Sequence, residues 1–164
     1  MGLSVAEALT ALETLPISAY IGESWWFPFL ESIHVVTAAF LVGSIAMVDL
    51  RLLGLAALGQ PVGRLTKEVL PWTWGACTLS LLTGFGLFAT RATHYAGNIA
   101  FQLKMALLVL AAVNMAVFHL STSRRIAQWD TEGTPPLASR AAGASSLLFW
   151  IGVILAGRWI GHLL

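Results

Sequence analysis

Glu31, His34, Arg91, His94, Lys104, Arg158 and His162 are polar groups set at or just inside the ends of long apolar runs. Glu31 and His34 are three residues apart, which on a helix places them on neighbouring faces one above the other. Imidazole is the commonest metal ligand and the usual axial ligand of haem, while Lys and Arg suit carboxylates such as haem propionates. The expected assignment is His34 as axial ligand, with Arg91, Arg158 or Lys104 meeting propionates. His94 and His162 are the candidates for a second ligand, His34 and His94 the expected metal-binding pair, and a five-coordinate haem the alternative. Glu31 and Lys104 are the candidate catalytic groups. Met47, Met105 and Met115 do not cluster by helical phase, and Cys77 lies in the other half of its run, so a copper site has less support. No activated Ser or Cys arrangement is visible.

The elements that must position these groups are membrane spans. Of 164 residues 57% are hydrophobic and 10% charged, against roughly 25% charged in an average soluble domain. That composition describes a single membrane domain over residues 1–164, an all-α integral membrane four-helix bundle with spans near 26–50, 72–93, 99–121 and 141–162. A net charge of +1, with the basic residues at segment ends, argues against a nucleic-acid partner and leaves the lipid bilayer as the expected one. The lone Cys77 excludes an internal disulfide.

Ser4 and Glu7 have capping-box spacing and Leu9, Leu12 and Leu15 a helical period that Pro16 ends, which predicts a short amphipathic interfacial helix at the N-terminus. The first residues lack a basic region and carry Glu7 and Glu13, so they do not read as a cleaved signal peptide. Trp25, Trp26 and Phe27 then mark the entry of the first span, and Trp72 and Trp74 that of the second. Between them, Gly59, Pro61 and Gly63 predict a loop with one short interfacial helix. Ala76, Ser80, Thr83 and Thr90 recur at three- to four-residue spacing, and with Gly84 and Gly86 they predict close helix approach or a kink. YAGN is a tight connection ending in Asn98 as N-cap. The segment around Arg124, Arg125, Gly133, Pro135 and Pro136 is the one clearly polar loop.

Arg51, Arg64 and Lys67 lie in the first connection and Arg124, Arg125 and Arg140 in the third, with Arg91 the exception at the other side. The positive-inside rule therefore predicts a bacterial inner-membrane protein with both termini periplasmic. At 1.5 Å per residue His34 lies about 9 to 14 Å below the outer surface and Lys104 about 9 Å below it. An intramembrane imidazole at that depth cannot reach water, so it faces a bundle interior or a pathway. Arg91, Arg158, His94 and His162 are near helix ends, where side chains also snorkel to headgroups.

His34 followed by Gly43 in the first span, and LKMALLVLAAVN with Lys104 and Asn114 in a later one, resemble small bacterial membrane proteins of the CopD and HemJ type. VDLRLLG and the Thr83–Gly84 pair look like an uncharacterised branch related to them. HemJ is a haem-binding protoporphyrinogen oxidase and CopD a copper-handling membrane protein, so the resemblance implies that His34 and Lys104 form a functional pair. The chain lacks the aromatic and Arg pattern of HemJ after the first-span His and the added helices of CopD. The expected function is a haem b-binding protein for electron transfer or oxidation, acting as a homo-oligomer or within a larger membrane complex. The alternatives are a copper or small-molecule binding or transport protein, and a haem-free accessory subunit of a redox assembly.

Overall fold

A computed structural model describes residues 4–122 and 135–162, and every described element is helical. Two short helices, α1 (Val5–Glu13) and α2 (Pro16–Glu23), precede α3 (Trp26–Leu53). Then come α4 (Val62–Ala89), α5 (Ala92–Gly97), α6 (Ile99–Val117) with a π-helical turn over Phe118–Thr122, and α7 (Leu137–Ile160). Three stretches, Trp26–Leu53, Ile99–Leu120 and Leu137–Ile160, are long and apolar enough to cross a membrane, the mark of a membrane protein. Phe40, Leu82, Val109 and Leu155 stand exposed on the four long helices, a surface that water does not favour and lipid does.

The local signals at the N-terminus hold. Ser4 Oγ accepts from the Glu7 amide while Glu7 Oε2 accepts from the Ser4 amide, a complete capping box that holds the Glu7 carboxyl below its usual range. Pro16 does end α1, but it also starts α2 from the first helical position, where its missing N–H costs nothing. The expected loop before the second span is shorter than predicted. Instead α4 begins at Val62 and runs unbroken through Pro71, so Arg64 and Lys67 belong to its first turns. Arg64 and Glu68, one turn apart, form an exposed ion pair there. The other end of α4 stops at Ala89, short of the predicted boundary, because Arg91 takes a non-helical conformation (φ −149°, ψ 51°) that turns the chain into α5. Asn98 caps α6 as predicted, its side chain accepting from the amides of Ala100 and Phe101. Arg124, Arg125 and Gly133 lie outside the described residues.

The long helices pack in the order α4, α3, α7, α6, each against the next, while α4 and α6 make next to no direct contact. Small residues set the close approaches. Ala76, Ser80 and Thr83 are buried on the α3 side of α4, and three pairs join the two helices along their length. His34 Nδ1 lies 3.0 Å from Thr83 Oγ1, Ser80 Oγ donates to Thr37 Oγ1 at 3.0 Å, and Thr73 Oγ1 donates to Ser44 Oγ at 2.9 Å. Gly84 and Gly86 serve approach: a Cβ on Gly84 would fall 2.9 Å from His34 Cε1, and one on Gly86 2.7 Å from Leu30 Cδ2. Gly143 does the same for α7, where an added Cβ would lie 3.0 Å from the Asp49 carbonyl oxygen. Asn114 Nδ2 donates to the Ala142 carbonyl and ties α6 to α7. At the far end from His34, Arg51 is buried with its Nε donating to Gln60 O at 2.7 Å, which anchors the turn before α4.

Candidate functional site

His34 sits one turn inward of Glu31 on α3, with its ring laid against the bare backbone of Gly84. Its Nδ1 faces Thr83 Oγ1, and that hydroxyl spends its single hydrogen on the Leu79 carbonyl, 2.7 Å away. The hydroxyl therefore accepts from the ring, which assigns the imidazole proton to Nδ1 and leaves the lone pair on Nε2. A second partner on the far ring nitrogen that fixes tautomer and orientation is the usual support of a metal-ligating histidine.

Lys104 lies on α6. Its side chain runs along Gly157 of α7, with Cδ, Cε and Nζ 3.8 to 3.9 Å from where a Cβ would be, and it acts electrostatically on His34. Among the described residues Lys104 has neither an ion-pair nor a hydrogen-bond partner. Glu31 does not neutralise it. That carboxylate acts on Tyr95 of α5, as does Arg91. Burial pushes the Tyr95 phenol above its ordinary range, Arg91 pulls it down and Glu31 adds to the rise.

The remaining sequence candidates fall into other groups. His94 is exposed on α5 beside Glu13 of α1, whose carboxylate accepts from the Thr93 amide and hydroxyl, both at 2.7 Å. Those bonds, with a smaller contribution from His94, hold the Glu13 carboxyl below its usual range. His162 turns back on its own helix, Nδ1 3.3 Å from the Arg158 carbonyl, and both residues are exposed. No hydrogen bond joins His34 to His94 or to His162. Among the described residues no group of three or more His, Cys, Asp or Glu is placed to share a metal ion. His34 is thus a single imidazole, with Lys104 the cation that acts on it.

Sequence reasoning valued Thr83 and Gly84 as packing residues and missed what they do for the ring, although their place on the small-residue face of α4 was the available signal. Tyr95 and Gly157 carried no such signal. Above the His34 level, Phe88 of α4 stacks on Phe101 of α6 with centroids 5.3 Å apart, and Tyr95 packs on both at 6.3 and 6.0 Å. These rings bridge the two helices that otherwise hardly touch.

No curated protein and no solved structure matches the chain. One family model does, over residues 13–163, and that span takes in all four long helices with His34, Thr83, Gly84 and Lys104. The chain therefore belongs to a family of unknown function, DUF6644.

Proposed function

We propose that this protein binds haem b, with His34 as the axial ligand from the chain, and serves electron transfer or oxidation in a bacterial inner membrane. The observation that carries the reading is the His34 ring itself: Nδ1 is committed to Thr83, so the unprotonated Nε2 is the atom left to ligate. Lys104, which acts on His34 and has no acidic partner among the described residues, supplies the positive charge that a porphyrin carboxylate requires. Haem would bring the one-electron chemistry; the chain would bind it, orient it and keep it from water. The resemblance to CopD and HemJ proteins implies that His34 and Lys104 are a functional pair.

In this reading α3, α4, α6 and α7 all cross the bilayer as a four-helix bundle. The Arg and Lys residues near the Asp49 end of α3 face the cytoplasm and both termini the periplasm. The chain acts as a homo-oligomer or within a larger membrane complex. The test is an absorption spectrum of the purified protein, which should show a Soret band that His34→Ala removes or strongly reduces. A colourless sample from haem-replete cells, or a band indifferent to His34→Ala, overturns it. A second reading, a haem-free accessory subunit, is favoured by the hydroxyl pairs Ser80–Thr37 and Thr73–Ser44, which join α3 to α4 with no ligand. Co-purification of larger subunits with a colourless protein supports it. Copper analysis of the same sample addresses a metal-handling role.

A further inference from the structure

We infer that α4 and α6 flank a groove that His34 and Lys104 approach from either side, roofed at the α5 end and open sideways to the bilayer, so that its ligand enters as an amphiphile bearing an acidic group. The inference shares with the proposed function the membrane setting of the helices, and it is independent of haem.

Three observations meet here. First, the packing order leaves one side unsealed: α3 touches α4 and α7, and α7 touches α6, but α4 and α6 make next to no contact although only α5 separates them in sequence. Second, the bridge across that side is confined to the α5 end. Phe88 is one turn outward of Gly84 on α4, and Phe101 nearly one turn outward of Lys104 on α6, roughly 5 to 6 Å at the standard rise. Their rings stack at an interplanar angle of 13°, and half-buried Tyr95 leans on both. A layer of three aromatic rings would hinder water and small ions from below, while the flanks of α4 and α6 beneath it, at Leu81 and Met105, are exposed apolar surface. Third, Lys104 has no acidic partner among the described residues, and no ion pair joins it to exposed Glu31. A cation placed at an apolar groove without a counter-ion is complementary to an anionic head on an apolar body.

The test uses the full-length chain with Cys77→Ser in membrane fragments that expose both faces. Gly157→Cys reports the groove, since a Cβ there makes only ordinary contact with Lys104; Gly161→Cys, exposed with open space around it, is the reference. A sulfonate-bearing methanethiosulfonate, which Lys104 attracts, should label Gly157→Cys at least about tenfold more slowly than Gly161→Cys, whereas membrane-partitioned pyrene maleimide should label both. Removing the roof with Phe88→Ala and Phe101→Ala should abolish the difference. Oleate should slow pyrene maleimide at Gly157→Cys, and oleyl alcohol or the added Lys104→Gln change should not reproduce that protection. Fast sulfonate labelling with the rings intact overturns the roof, and failure of pyrene maleimide at Gly157→Cys overturns the side opening. Equal protection by oleate and oleyl alcohol overturns the acidic ligand. None of these readings depends on a Soret band, so a colourless protein leaves them fully decidable.

Discussion

His34 Nδ1 and Thr83 Oγ1 stand 3.0 Å apart across the α3–α4 interface, and the Thr83 hydroxyl is already bonded to Leu79 O at 2.7 Å. With the Thr83 hydrogen on a backbone carbonyl, the pair is satisfied by a ring that carries its proton on Nδ1. Thr83→Val keeps the shape and removes the acceptor, leaving a part-buried N–H unsatisfied at a cost of about 1–3 kcal/mol. The expected outcome is a lower thermal midpoint in detergent and, under the proposed haem function, a shifted or broadened Soret band. Thr83→Ser, which keeps the hydroxyl, should restore the band position.

Gly84 and Gly43 make a matched pair for substitution by Ala. At Gly84 the new Cβ would lie 2.9 Å from His34 Cε1, whereas Gly43 has nothing within 4 Å. Gly84→Ala should push the imidazole away or part the helices, destabilising by about 1–3 kcal/mol and, under the proposed function, weakening haem retention. Gly43→Ala should be neutral or stabilising by up to about 1 kcal/mol, since it removes only backbone freedom. Thermal unfolding of the two variants side by side decides this, and equal midpoints would contradict the packing described.

The same contrast applies to α7. Gly143→Ala meets the Asp49 carbonyl oxygen at 3.0 Å and Leu52 Cβ at 3.2 Å, groups that are backbone or next to it and cannot rotate aside. Gly157→Ala meets only the flexible end of Lys104 at 3.8 Å and beyond. The first should lower the unfolding midpoint by the equivalent of about 1 kcal/mol or more, and the second should leave it unchanged.

Acid should loosen the α1–α5 junction. The Glu13 carboxyl is held below its ordinary value of 4.5 by the Thr93 hydroxyl and amide. Its contribution is therefore complete above that value and is lost as pH falls through the lower, folded-state value. Hydrogen-exchange protection at the Thr93 amide, corrected for intrinsic exchange, should drop below about pH 4.5 in the native chain. In Glu13→Gln protection should be lower at neutral pH and flat over that range.

The long apolar stretches, the Ser4–Glu7 box, the Asn98 cap and the small-residue face of α4 were all legible in sequence, because each depends on residues within a turn or two of one another. A fixed rise per residue predicts similar depths for Lys104 and His34, and in the structure Lys104 acts electrostatically on His34. Direction around each helix was not legible. Every residue turns the chain by about 100°, so an uncertainty of two residues in where a helix starts leaves its side chains unassigned to any neighbour. Tertiary packing alone decided that His94 belongs with Glu13, eighty-one positions away in the numbering, and that Lys104 lies along Gly157. The helix boundaries followed the same division. Pro71 looked like the edge of a loop, yet α4 continues through it, since helix is retained at a proline when packing against a neighbouring helix supports the turns on either side.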